Sequence, residues 1–171
     1  MTSPPASASA SIWSRKRDLF YLIFFIIHIP IVVLVDAVTF LPTALQTNFG
    51  LKTHADYLAT YQDKLPEETA PWFCVFVFME LYYQVPLAIW AIVALIRDNP
   101  MVPVHLLVFG GHIFLTTLTC LVEMWSWEDR TFAQKRTLTM MYGPYFALGA
   151  FMALDMFFRL RGKLLGKKKL A

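Results

Sequence analysis

Charge is scarce in this sequence: Asp, Glu, Lys and Arg make up 16% of 171 residues, against roughly 25% in an average soluble domain. The hydrophobic fraction, 57%, exceeds the roughly 45–50% of soluble chains. Too little polar surface is left to cover a water-soluble globule, and lipid as solvent removes that difficulty. Net charge is only +3, and no Lys/Arg stripe interleaves with aromatics, which excludes a nucleic-acid partner. Cysteine is equally sparse. Cys74 and Cys120 lie far apart in apolar runs, with no CxxC or Cys/His cluster to hold zinc. They read as free thiols acting as small apolar residues, although a disulfide between them stays open. Internal repeats are absent, and no GxxxG packing motif falls inside an apolar run. Neither a metal nor a cofactor is expected.

Four long apolar runs remain, and they predict an all-α, polytopic fold: a bundle of four transmembrane helices, kinked and enclosing a ligand cavity. The first run goes from about Leu19 to Leu41. At about 1.5 Å per residue it crosses the hydrocarbon core, and it is too long for a signal peptide. The second extends from Pro71 to about Ile96, the third from about Val102 to Trp125, and the fourth from about Leu138 to Phe158. Residues 1–17 begin Ser/Ala/Pro-rich and read as a disordered tail. Residues 18–160 form the membrane domain, and 161–171 a basic tail. Between the first two spans, residues 47–70 are polar, and Leu51, Ala55, Leu58 and Ala59 recur at helical spacing, predicting a short interfacial helix.

Basic residues cluster before the first span, in the 97–100 turn and after the fourth. The 47–70 loop carries two lysines and four acids. The positive-inside rule therefore puts both termini in the cytosol. Lys168 and Lys169, fourth and third from the end, match a dilysine retrieval signal of the endoplasmic reticulum, an address rather than an anchor.

Ionisable groups inside a span are costly, by roughly 2.5–3.5 kcal/mol on insertion scales. The inventory is His28 and Asp36 in the first span, Glu80 with Gln84 one turn on in the second, His105, His112 and Glu123 in the third, and Asp155 in the fourth. Asp36 and Glu80 sit at depths that helix tilt can match. Two carboxyls meeting in a dry interior cannot both stay ionised, so one keeps a proton and donates it to the other. The single negative charge left suits an amine or a developing cation. The alternative is that both acids are helix–helix glue. His28 lies eight residues before Asp36, roughly 80° away on an ideal helix. Pro30, Pro86 and Pro144 each free a carbonyl one turn earlier, either as ordinary kinks or as cavity-lining acceptors. His105 and His112 lack a third ligand and read as structural. Asp155 and Arg159, spaced i,i+4, read as a local ion pair.

Several motifs carry a resemblance. His28-Ile29-Pro30-Ile31 with Asp36 and Leu41-Pro42 resembles the first helix of the sigma-2 receptor family, in the EXPERA group. Ala70-Pro71-Trp72-Phe73, Glu80-Leu81 and Gln84-Val85-Pro86 look like its second. Arg136-Thr137-Leu138-Thr139 and Tyr142-Gly143-Pro144-Tyr145 resemble its fourth, with Gly143 where Ala is usual. The resemblance implies an endoplasmic reticulum protein with a cavity near the lumen for sterols, oxysterols or lipophilic amines. It implies that Asp36 faces a ligand amine and Glu80 bonds Asp36, and the expected ligand-binding set adds His28, Gln84, Tyr142 and Tyr145. Fungal relatives are associated with efficient mitochondrial targeting, clearing precursor proteins from the reticulum surface. The expected function is thus ligand binding with a part in sterol, lipid or precursor-protein trafficking. The group also contains sterol Δ8-Δ7 isomerases, so catalysis by the paired carboxylates is the alternative, with binding favoured. Expected partners are the ligand and the bilayer. A homodimer and other membrane proteins remain open.

Overall fold

The computed structural model describes residues 11–168, with side chains through residue 166. Most of the Ser/Ala/Pro-rich tail, and Lys169 of the dilysine pair, lie outside the described residues. Helix α1 covers Lys16–Ile31 and runs into a π-helical turn, Val32–Asp36, then a 3-10 turn, Val38–Phe40. Next come α2 (Asn48–Tyr61) and the short α3 (Lys64–Glu68). The second long helix is α4 (Pro71–Met79), a second π-helical turn (Glu80–Gln84) and α5 (Val85–Ile96). Helices α6 (Val102–Ser126) and α7 (Phe132–Lys168) complete the chain. Among the described residues, four helical runs are long and apolar enough to cross a membrane: Lys16–Asp36, Pro71–Ile96, Val102–Ser126 and Phe132–Gly166. The all-α polytopic fold expected from sequence is therefore the fold observed, with no strand among the described residues.

Several boundaries move, each for a local reason. The first helical run stops at Asp36, short of the expected Leu41, because the Ala37 N–H closes a wide turn onto the Val32 carbonyl (2.8 Å). Leu41, preceding Pro42, is extended at φ −72°, ψ 149°, as a residue before proline prefers. Helix α7 begins six residues before the expected Leu138. Thr131 and Gln134 form a reciprocal capping box: Gln134 N–H donates to Thr131 Oγ1 (3.3 Å) and Thr131 N–H to Gln134 Oε1 (2.8 Å). At its other end α7 continues to Lys168. No proline stops it earlier. The 47–70 segment holds two helices rather than one. Thr47 caps α2 by accepting from Gly50 N–H (3.0 Å), and Asp63 caps α3 by accepting from Leu65 N–H (3.0 Å). Between them Gln62 turns the chain at φ 53°.

Two apolar clusters divide the bundle lengthwise. One gathers Tyr21, Phe25, Ala88, Ala91, Leu95, Leu106, Phe109, Met152 and Met156. The other gathers Val32, Phe73, Val77, Cys120, Met124, Trp127 and Leu138. Helices α6 and α7 share the most extensive contact in the molecule. A Cβ on Gly110 would stand 2.8 Å from the Ala153 backbone nitrogen, and one on Gly149 2.7 Å from that of Phe114. One glycine from each helix thus brings the backbones together, the small-residue packing that lipid favours. No GxxxG motif within a span announces this packing, because the two glycines lie on different helices and face each other. Cys74 and Cys120 are both free thiols.

The end formed by the start of α1, the 97–101 turn and the end of α7 is held by ions. Asp155 and Arg159 do pair locally (2.8 Å), but the network is wider than the sequence reading. Arg17 pairs with Asp155 (2.7 Å), and Arg159 and Arg15 both pair with Asp18 (2.5 and 2.6 Å).

Candidate functional site

The opposite half of the bundle contains a cavity of about 310 Å³, which falls at the small end of ligand pockets, roughly 300–1,000 Å³. Its walls are largely apolar, with Ile31, Phe73, Phe76, Val77 and Ile113 among them. All six residues singled out from sequence line it: His28, Asp36, Glu80, Gln84, Tyr142 and Tyr145.

The π-turns explain how the two acids arrive there. Asp36 is the last residue of the first π-turn and Glu80 the first of the second, and the two turns pack against each other. Pro30 and Pro86, lacking N–H groups, already disturb the hydrogen-bond ladder nearby. Val32 N–H is shared between the His28 and Ile29 carbonyls, and Val85 N–H reaches back to Glu80. A π-turn accommodates about one extra residue. It removes most of the roughly 80° that separates His28 from Asp36 on an ideal helix, so both reach one cavity. Among the described residues no hydrogen bond joins the Asp36 and Glu80 carboxyls.

Polar atoms with nothing to bond surround the cavity. His28 is 4% exposed and stacks on Phe24 (5.0 Å between centroids), yet neither ring nitrogen has a hydrogen-bond partner among the described residues. Gln84 meets His112 Nδ1 through Nε2 (2.8 Å), while its Oε1 is buried without a partner. Buried polar groups are ordinarily satisfied, and exceptions mark sites awaiting water or a ligand. His105 packs on Trp90 (4.6 Å) and His112 on Gln84 and Met79, so the two histidines turn to different neighbours. Among the described residues no group of three metal-ligating side chains converges.

The segment between the first two spans closes the cavity, and sequence reading did not identify its part in the site. His54 Nδ1 is 2.6 Å from the Val35 carbonyl. A carbonyl only accepts, so Nδ1 carries the proton and pins α2 to the first π-turn. Asp63 is fully buried and accepts from Tyr57 Oη (2.7 Å), Tyr142 Oη (2.7 Å) and Leu65 N–H (3.0 Å). It ties α2, α3 and α7 together behind the cavity-lining Tyr57 and Tyr142. Burial, then the Asp63 carboxylate it faces, pushes the Tyr57 hydroxyl above its ordinary value. His54, Tyr57, Pro66, Thr116, Thr117 and Cys120 also line the cavity. The available signal was Asp63 itself, a helix-capping aspartate in the polar 47–70 segment.

The geometry is matched by similarity. Residues 49–156 match the family model EXPERA (EXPanded EBP superfamily). The chain is similar to "Efficient mitochondria targeting-associated protein 19" of Schizosaccharomyces pombe, at 34% identity over 81% of this chain and 74% of that protein. The Saccharomyces cerevisiae protein of the same name is 32% identical over 63% of this chain and 71% of its own length. The "Sigma intracellular receptor 2" of Xenopus tropicalis is 25% identical over 93% of this chain and 98% of its own.

Proposed function

Because the chain belongs to the EXPERA (EXPanded EBP superfamily) family, we propose that its cavity binds a sterol-like or lipophilic-amine ligand from the bilayer. The protein acts as a receptor-like or trafficking protein of the endoplasmic reticulum, with both termini cytosolic. One observation carries this reading: an apolar cavity whose polar side holds two carboxyls and a histidine without hydrogen-bond partners. Apolar walls suit a ring system, and a carboxylate at the end suits a cation or hydroxyl. The even number of spans supports ends on one side, and the basic flanks favour the cytosol. Relatives named for sigma intracellular receptor 2 support the receptor reading, and those named for mitochondrial targeting support a part in handling precursor proteins.

The test compares the parent with Asp36→Asn and Glu80→Gln, using one lipophilic tertiary amine and one neutral oxysterol as probes. Loss of a charge-assisted bond is worth roughly 1.5–3 kcal/mol, about ten- to a hundredfold in affinity. Asp36→Asn should weaken the amine by that factor and the oxysterol far less. Glu80→Gln should weaken the amine less than Asp36→Asn does, because it leaves the Asp36 carboxyl in the cavity. Equal amine affinity in Asp36→Asn and parent means that the acids only hold helices together. Isomerase chemistry is a second reading, favoured by His28, which brings a third proton carrier to the cavity. Shifting a double bond requires one proton added and another removed. Turnover of a Δ8-sterol by purified protein above background separates the two readings.

A further inference from the structure

A second, open cleft of about 890 Å³ lies at the ion-paired end of the bundle, between the start of α1, the 97–101 turn and the last part of α7. Its inner wall is a closed set of ion pairs. Asp18 and Asp155 are each 7% exposed, and all four of their carboxylate oxygens are taken. Asp18 accepts from Arg15 and Arg159, and Asp155 from Arg17, Arg159 and Tyr21 (2.9 Å). The third acid, Asp98, accepts from Arg15 (3.0 Å). Bridging both acids through two nitrogens, the Arg159 guanidinium is fixed as a planar donor.

The lysines of the cleft are left over. Lys16 is exposed, and neither it nor Lys163 has a carboxylate partner among the described residues. Lys163 Nζ reaches only the Pro100 carbonyl, at 3.4 Å. Arg17 engages Asp155 through one nitrogen while its side chain stays 69% exposed. The cleft therefore offers uncompensated positive charge around preorganised arginines. Its height in the membrane is set by the exposed Trp13 (71%) beside it and the apolar run that starts at Leu19. Tryptophan prefers the headgroup level. Lipid headgroups are the anions concentrated at this level.

We propose that this cleft binds a phosphomonoester-bearing lipid headgroup of the phosphoinositide type, with Lys16, Arg17 and Lys163 contacting the phosphate and Arg159 orienting it. The inference rests on the membrane-spanning fold and not on the ligand of the cavity described above. A phosphomonoester carries close to two charges, and the cleft has room for a ring as well as a phosphate. Arginine and lysine both bind such groups, the former through its fork and the latter as a point charge. A loose basic flank also attracts anionic lipid, at about 1 kcal/mol per basic residue, but without distinguishing headgroups.

The full chain is reconstituted in nanodiscs, and binding of dioctanoyl phosphatidylinositol 4-phosphate, dioctanoyl phosphatidylserine and free inositol 1,4-bisphosphate is measured. The lipid phosphomonoester should bind tightest. The double variant K16Q/K163Q should weaken it by roughly tenfold or more, with an unchanged melting temperature because both lysines lie at the cleft surface. Lys135→Gln, at the other end of the bundle, should leave binding unchanged. Arg17→Gln provides an independent variant and should weaken the same probe. Phosphatidylserine binding as tightly as the phosphomonoester, or Lys135→Gln weakening it as much as K16Q/K163Q, would overturn the proposal in favour of diffuse attraction. Equal affinity of free inositol bisphosphate would overturn the lipid assignment.

Discussion

The two halves of this bundle solve the problem of polarity in lipid in opposite ways. In the ion-paired half, helices close up through Ala88, Ala91, Gly110 and Gly149, and every oxygen of the buried acids Asp18 and Asp155 pairs with an arginine, Tyr21 adding a hydrogen bond to Asp155. In the cavity half, two π-turns hold the helices apart, and His28 and Gln84 keep buried polar atoms without partners. Close packing and paired charge fix a structure, whereas open packing and unpaired polarity leave room for a ligand.

The sharpest way to break this division is to wedge the tight half. Gly149→Leu places a branched side chain against the Phe114 and Gly110 backbone, where no rotamer relieves it. We expect loss of a monodisperse peak in detergent chromatography. Gly149→Ala should be milder, destabilising by about 1–3 kcal/mol as overpacking does. Gly143→Ala, with nothing within 4 Å of its added Cβ, should not destabilise by the same thermal melt, and helix propensity favours it by up to about 1 kcal/mol.

A smaller effect comes from loosening the roof of the cavity. In Asp63→Asn one amide end must face a donor, so one of the three bonds to Tyr57, Tyr142 and Leu65 is lost. The expected cost is about 1–2 kcal/mol, read by thermal shift. Proteolysis should then cut between α2 and α4 while the α6–α7 pair stays intact. Uniform loss of protection would show that the halves are not separable.

The smallest effect concerns the exposed ties of α3. Lys64 bridges Glu68 (3.1 Å) and Asp129 (3.3 Å), and Arg130 reaches Glu67 (3.7 Å). Desolvation raises the Asp129 carboxyl, but the Lys64 hydrogen bond, a backbone N–H and the nearby positive charges outweigh it and hold the group below its ordinary value. A depressed carboxyl stabilises the fold above its unfolded value, about 4, and loses that contribution as pH falls further. The melting difference between parent and Asp129→Asn should therefore be present at neutral pH and vanish in acid. A difference that persists in acid would assign the effect to packing.

How far the molecule was legible depends on the range of the interaction. Hydropathy is a sum over one segment, so the four spans and the all-α class followed from composition alone. Proline spacing pointed to disturbed ladders near Asp36, Glu80 and Tyr142. The cost of burying charge singled out the ionisable residues, and all six of the chosen set meet at one cavity. The capping box Thr131–Gln134 was also present in the sequence, and overlooking it misplaced the start of α7 by six residues. Asp63 was only one of four acids counted in the 47–70 loop; its burial depends in part on Tyr142 of α7, seventy-nine residues away.

Sequence by itself determined which segments enter lipid, since transfer free energy depends on side chains within one run. It also determined which rare charges had to be accommodated there. Tertiary structure alone decided where each helix opens into a π-turn, because a wide turn exchanges hydrogen-bond partners at little local cost and is selected by what packs against it. The same holds for Gly110 against Gly149 and for the unpartnered nitrogens of His28. These are relations between helices, and no single segment carries the distances that define them.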